Sequence, residues 1–183
     1  ANTNANDTFH FQAANCLSLS IMTYALASEA GFNAYFQEII IPEYWTRRAG
    51  FSLLNGHINI KILAPKQADV FVLSSQSYQV DFDPQPLRYG FPKKVVSKQA
   101  VLSMFYNNKG ADAFLHKEYV TAYAYFRKAL MIKPNFDSAW VNLGILYRLS
   151  ELFPQAEKAY QHALVINSDS LTALENLAYL YTF

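Results

Sequence analysis

A spacing of 34 residues organises the second half of the chain. Gly110 and Gly144 stand one step apart, as do Ala122 and Ala156, Phe126 and Tyr160, and Ala129 and Ala163. A further step carries Leu143 to Leu177 and Tyr147 to Tyr181. A repeat of this length is one helix–turn–helix unit. Alone it cannot bury its apolar face, so neighbouring units must stack into a continuous core. Small residues at fixed places let paired helices approach closely, and the aromatics fill the space between pairs.

The stretch WVNLGILY, Trp140 to Tyr147, reads W-x2-L-G-x2-Y, and Pro134 closes the block before it. On these residues the second half resembles the tetratricopeptide repeat family. The resemblance implies two full repeats, 103–136 and 137–170, and a capping or truncated helix over 171–183. It also implies a concave groove lined by the first helix of each repeat. Asn108, Asn142 and Asn176 recur there one period apart, where their amides would bond the backbone of an extended peptide or pack the helices together. Arg148 is the one cation near that groove, so a clamp for a terminal carboxylate is not expected. So short an array is expected to lean on the front half through the Pro84–Ala100 segment, and its groove to hold an extended chain near Cys16.

Ahead of Pro84 the period changes. AYFQEIII (34–41), HINIKIL (57–63), DVFVLS (69–74) and SYQVDFD (77–83) alternate with period two and read as strands. An uncharged run from Thr8 to Ser28 precedes them. It holds His10, Gln12, Asn15 and Ser18, and its apolar part falls short of the roughly 20 residues a membrane span requires. It reads as a buried helix that starts at Asn15-Cys16. The front half, 1–90, is therefore an α+β domain, 91–102 a linker and lead-in, and 103–183 an all-α repeat domain.

Cys16 is the single cysteine, so neither an internal disulfide nor a cysteine-based zinc site is expected. At a helix start the unpaired N–H groups stabilise a thiolate, although most free cysteines are simply small buried hydrophobes. A nucleophile needs a base, and the base needs a group to orient it. His116 and His162 fall at polar positions of the repeats, and His10, between Phe9 and Phe11, reads as a packed residue. His57 opens a strand just after a turn and shares a face with Asn59, while Ile58, Ile60 and Ile62 face a core. Asp81 and Asp83 share a face of a later strand, where either could orient the imidazole or simply be solvated.

The segments NC at the helix start, AGFNA, GHINI and VDFDP resemble the transglutaminase-like branch of the papain-like cysteine enzymes, over residues 13–84. The resemblance implies Cys16 as nucleophile, His57 as base and Asp81 as orienting acid, with Asp83 as the alternative. It implies thiol-dependent acyl transfer on peptide or protein amides, by a cysteine peptidase or amidase or by a transglutaminase-like enzyme. Gln12 and the Cys16 N–H are the oxyanion donors to consider. The other expectation is a non-catalytic peptide- or protein-binding scaffold whose front domain is a degenerate relative.

Composition narrows the partners. With 52% apolar and 16% charged residues the chain can bury a core, and its formal charge is only +1. Residues 1–100 carry eight Lys/Arg against seven Asp/Glu and the rest seven of each, so no basic stripe points to nucleic acid. No cofactor and no metal are expected, since His57 and Asp81 lack further ligands at suitable spacing. A peptide or protein partner is. No pattern fixes a compartment; a soluble protein of a bacterial cytoplasm or periplasm is the expectation.

Overall fold

The computed structural model describes residues 2–11, 14–40, 45–48, 51–54, 56–64, 77–82 and 90–182. The chain divides into two compact units, Ala1–Val101 and Leu102–Phe183.

In the first unit a short helix, α1 (Ala5–Phe11), precedes the uncharged helix α2 (Cys16–Glu29). The sequence reading missed α1 because its opening residues are polar. Asn4 supplies the cap, its Oδ1 accepting the Asp7 N–H at 2.9 Å. His10 is exposed on α1 with its ring edge-on to Phe9, which corrects the expectation that it is packed.

α2 ends in a tight reversal. Gly31 takes φ +79°, the Phe32 N–H donates to Ala27 O at 2.9 Å, and the Gly31 N–H donates to Ser28 O at 3.1 Å. This is a Schellman closure, and it needs a residue that tolerates the left-handed region. It launches β1 (Asn33–Ile39) back along the helix.

β1 is central in a four-stranded antiparallel sheet of order β5-β4-β1-β6, with β4 at His57–Leu63, β5 at Ser77–Val80 and β6 at Lys93–Val96. The register pairs Ile39 with His57, Gln37 with Asn59, Phe36 with Ile60 and Ile60 with Val80. Phe36 and Ile60 are buried, and Tyr24 of α2 stacks on Phe36 with centroids 4.7 Å apart.

Two further strands, β2 (Trp45–Arg48) and β3 (Phe51–Leu54), pair antiparallel as a separate ribbon that the alternation did not reveal. β6 corrects the reading of 91–102 as linker. It pairs with β1, and its Lys93 and Lys94 put charge on an edge strand, which discourages further pairing. The strand expected over 69–74 lies outside the described residues.

Five helices follow: α3 (Lys98–Leu115), α4 (Tyr119–Ile132), α5 (Asp137–Leu149), α6 (Phe153–Ile166) and α7 (Leu171–Leu180). They form helical hairpins, α3/α4 joined by Gly110 against Phe126 and by the Ser103 hydroxyl donating to Ala129 O, and α5/α6, with α7 packing on both α5 and α6. A Cβ on Gly110 would lie 2.5 Å from Phe126 Cε1, and one on Gly144 would meet the Tyr160 ring in the same way. The glycines are there because an aromatic ring of the second helix lies against the first. Val141, Ala156, Tyr160, Ala163, Ala173 and Leu180 make the core of the second hairpin and α7. The Trp140 indole N–H donates to Pro134 O at 2.8 Å, tying together two residues of the repeat signature. The turns inside the hairpins repeat as well: Lys117 (φ 63°) and Glu151 (φ 60°) are left-handed one period apart.

Candidate functional site

Cys16 is the first residue of α2 and is partly exposed. Asn15 is the N-cap, its side chain accepting the Ser18 N–H at 2.9 Å. No acidic residue lies in the first turn, so the turn itself leaves the positive end of the helix dipole at Cys16. The start of α2 is braced by residues the sequence reading passed over. The Asn15 amide donates to buried Asn2, and the Thr3 N–H donates to Ser18 Oγ at 2.9 Å. Nothing in the composition of the first few residues signals that role, because it depends on where the chain returns.

His57 opens β4 with its side chain 1% exposed, and its Nε2 lies 2.7 Å from Asp81 Oδ1. Asp81 sits one residue past the end of β5, its side chain 15% exposed. With Nε2 engaged by the carboxylate, Nδ1 is the ring nitrogen on the opposite edge of the imidazole. Asp83 and Gln12, the other acid and the side-chain oxyanion candidate, lie outside the described residues.

The reversal at Gly31 relates the thiol to this pair. α2 has 14 residues and β1 has seven, lengths of about 21 Å and 23 Å. From the Tyr24–Phe36 stack the helix start is about 12 Å away, and Ile39 is about 10 Å away in the same direction. Cys16 is at the end of α2 far from Gly31, and Ile39, with its ladder partner His57, is at the end of β1 far from Gly31. Strand alternation adds a second constraint. His57 and Asn59 leave β4 on the face opposite Ile60 and Phe36.

Asn59 is fully buried, and among the described residues neither its Nδ2 nor its Oδ1 has a hydrogen-bond partner; Gln37 Oε1, on the residue paired with it, is in the same state. The sequence placed Asn59 on the His57 face. It gave no sign that the amide would be sealed from water.

In the repeats, Asn142 Nδ2 donates to Asn107 Oδ1 at 2.9 Å, joining α5 to α3. Asn176 Nδ2 donates to Thr172 O of its own helix at 2.9 Å. Asn108 is half-buried on α3. Arg148 lies over the Tyr179 ring, 4.9 Å from its centroid. Burial pushes the Tyr160 phenol above the usual tyrosine range, against the opposing pull of the Arg148 charge. His116 and His162 are exposed, the latter edge-on to Trp140 at 4.5 Å. Among the described residues no group of three His, Cys, Asp or Glu could hold a metal ion, and no helix is long and apolar enough to cross a membrane.

No family model matches the chain. Over 77 residues it is 30% identical to ycf37 of Cyanophora paradoxa, described as uncharacterised, covering 42% of this chain and 45% of that protein. The chain thus spans less than half the length of that relative. Among solved structures it is similar to the first TPR of Spaghetti (RPAP3) bound to the HSP90 peptide SRMEEVD, with TM-score 0.42 and 16% identity, over 44% of this chain and 64% of that one. It is similar too to the second TPR domain of human RPAP3 in complex with the HSP70 peptide SGPTIEEVD, with TM-score 0.41 and 13% identity, over 43% and 66% of the two chains.

Proposed function

We propose that this chain is a peptide- or protein-binding scaffold whose working surface is the tetratricopeptide-type array. The observation that carries this reading is the pair of hairpins with α7, in which successive first helices α3, α5 and α7 recur at one period. Stacked repeats of this kind present an extended face, and the step from such a face to binding is an analogy at the level of fold. Asn108, half-buried on α3, and Arg148, stacked on Tyr179, are the polar groups offered to a partner. The test selects peptides against the intact chain by display and measures their affinity. Asn108→Ala or Arg148→Ala should weaken a selected peptide about tenfold, the scale of one hydrogen bond to a charged group. Affinities indifferent to both changes would remove the array as the binding surface.

A second reading is thiol-dependent acyl transfer at Cys16, His57 and Asp81. It is favoured by the buried His57–Asp81 bond of 2.7 Å and by Cys16 standing first in α2 behind its Asn15 cap. In this scheme His57 takes the Cys16 proton and Sγ bonds the amide carbonyl carbon. The oxyanion gathers at N–H donors such as that of Cys16. Collapse breaks the C–N bond, the departing amine carries off the imidazolium proton, and a thioester remains. Water or a second amine, deprotonated by His57, then attacks the thioester and expels the thiolate. Asp81 holds the imidazole tautomer throughout.

Alkylation of Cys16 at pH 6 decides between the two. An ordinary thiol is only about 0.3% thiolate there, whereas an imidazole-paired one is largely ionised. The acyl-transfer reading expects alkylation at least about 100-fold above that baseline, the lower range of a positioned base, and a comparable loss in Asp81→Asn. A baseline rate that Asp81→Asn leaves unchanged would sink acyl transfer and leave the scaffold.

A further inference from the structure

Three neighbouring strands place a row of polar side chains on one face of the sheet. Gln37 of β1 is paired with Asn59 of β4. The β4–β5 ladder ends at Ile60 and Val80, and one step further the same register sets Asp81 level with Asn59. Side chains so paired have Cβ atoms about 4.5–5.5 Å apart. His57, two residues along β4, reaches Asp81 across the diagonal. The middle member of the row is the anomaly. Asn59 is 0% exposed with both amide atoms unpartnered, and Gln37 Oε1 beside it is unpartnered too.

Leaving such groups unmade costs about 1–3 kcal/mol each, while a leucine of similar shape would cost nothing of the kind. A core that keeps a sealed amide beside a buried His–Asp hydrogen bond keeps it for what that amide does to the pair. We infer that Asn59 is a positioning residue for the His57–Asp81 pair. Its terminal torsion is soft, and its Nδ2 carries two hydrogens. One can be given to the Asp81 carboxylate, whose two oxygens can accept several hydrogen bonds, and the other to Gln37 Oε1. The row then runs Gln37–Asn59–Asp81–His57, and the carboxylate is held from two sides so that it keeps a fixed bearing on Nε2. The inference concerns the pair itself. It rests on the acyl-transfer reading only for its consequence at Cys16.

The experiment follows the His57 ring by nitrogen-15 NMR in the intact chain, comparing the parent with Asn59→Leu and with Gln37→Leu. In the parent, the Nε2-bound proton should be visible, slow to exchange with water, and the Nε2–H tautomer dominant. In Asn59→Leu the thermal midpoint should hold or rise, while that proton exchanges at least about tenfold faster, as expected when a hydrogen bond to a charged group is lost. Gln37→Leu should move it the same way by less, and it carries the test should Asn59→Leu fail to fold. A His57 signal and tautomer unchanged in the folded variants would overturn the inference, as would a lowered midpoint with the signal intact, which is what a merely structural amide gives. Cys16 alkylation is read in parallel. Baseline alkylation in the parent ends the acyl-transfer reading, and the ring signal still settles Asn59.

Discussion

Tyr160 and Phe126 occupy the same place in successive repeats, each ring lying where its partner glycine would carry a Cβ. They differ by one hydroxyl, and the Tyr160 hydroxyl is buried without a well-formed hydrogen bond among the described residues, the Arg148 guanidinium being the polar group that acts on it. Removing an unsatisfied buried hydroxyl without changing shape is neutral or stabilising. Tyr160→Phe should therefore leave the denaturation midpoint of the repeats unchanged or raise it by up to about 1 kcal/mol. The pH dependence has a definite sign. Burial raises the Tyr160 pKa in the fold, whereas the unfolded chain ionises near pH 10. Between that value and the raised one the unfolded chain binds fewer protons, so stability is full below about pH 10 and falls as the pH rises through the interval. Tyr160→Phe should flatten that alkaline decline. An equally steep decline in the variant would mean another group causes it.

Among the elements, the turns carry the constraints. Gly31 closes α2 and aims β1, and open space surrounds the position of a Cβ there, so the cost of Gly31→Ala is conformational only. About 1 kcal/mol is expected, measured as a shifted urea midpoint. In the repeats the same logic runs in reverse. Glu151 adopts φ 60° with an exposed side chain, so Glu151→Gly should stabilise by about 0.5–1 kcal/mol. A packing glycine behaves differently. Gly144 has ordinary helical geometry but faces the Tyr160 ring, and Gly144→Ala should cost about 1–3 kcal/mol through overpacking. Should Gly144→Ala prove silent, the close approach of α5 and α6 would not be what the repeat signature encodes. These glycines and their aromatics were legible because both lie one period apart. The left-handed Lys117 and Glu151 were not, since neither residue type signals positive φ.

At the scale of the whole molecule, charge is balanced: 15 Lys/Arg against 14 Asp/Glu, in near-equal numbers along both halves. Long-range steering of a charged partner is therefore weak. Affinity for a selected peptide should change by less than about tenfold up to roughly 1 M salt, where the screening length is about 3 Å. A steep salt dependence would instead reveal a charged face that the totals conceal.

Taken by itself, the sequence determined the elements whose cause is local or periodic. The 34-residue spacing fixed the hairpins, because each repeat restates the same fit of small residue to ring. Period-two alternation set β4 over 57–63 and most of β1, and Asn15 marked the start of α2 through its cap. The tertiary structure decided whatever depends on residues far apart in the chain. β6 belongs to the sheet because β1 offers it an edge, although its own residues read as a linker. Asn2 and Thr3 matter only through the return of α2 beside them. Asp81 reached His57 through strand register, a relation that alternation along one strand cannot contain. The burial of Asn59 with its amide unmade belongs to the same class. A strand pattern assigns a face, but only neighbouring strands and whatever covers them decide whether water can reach it.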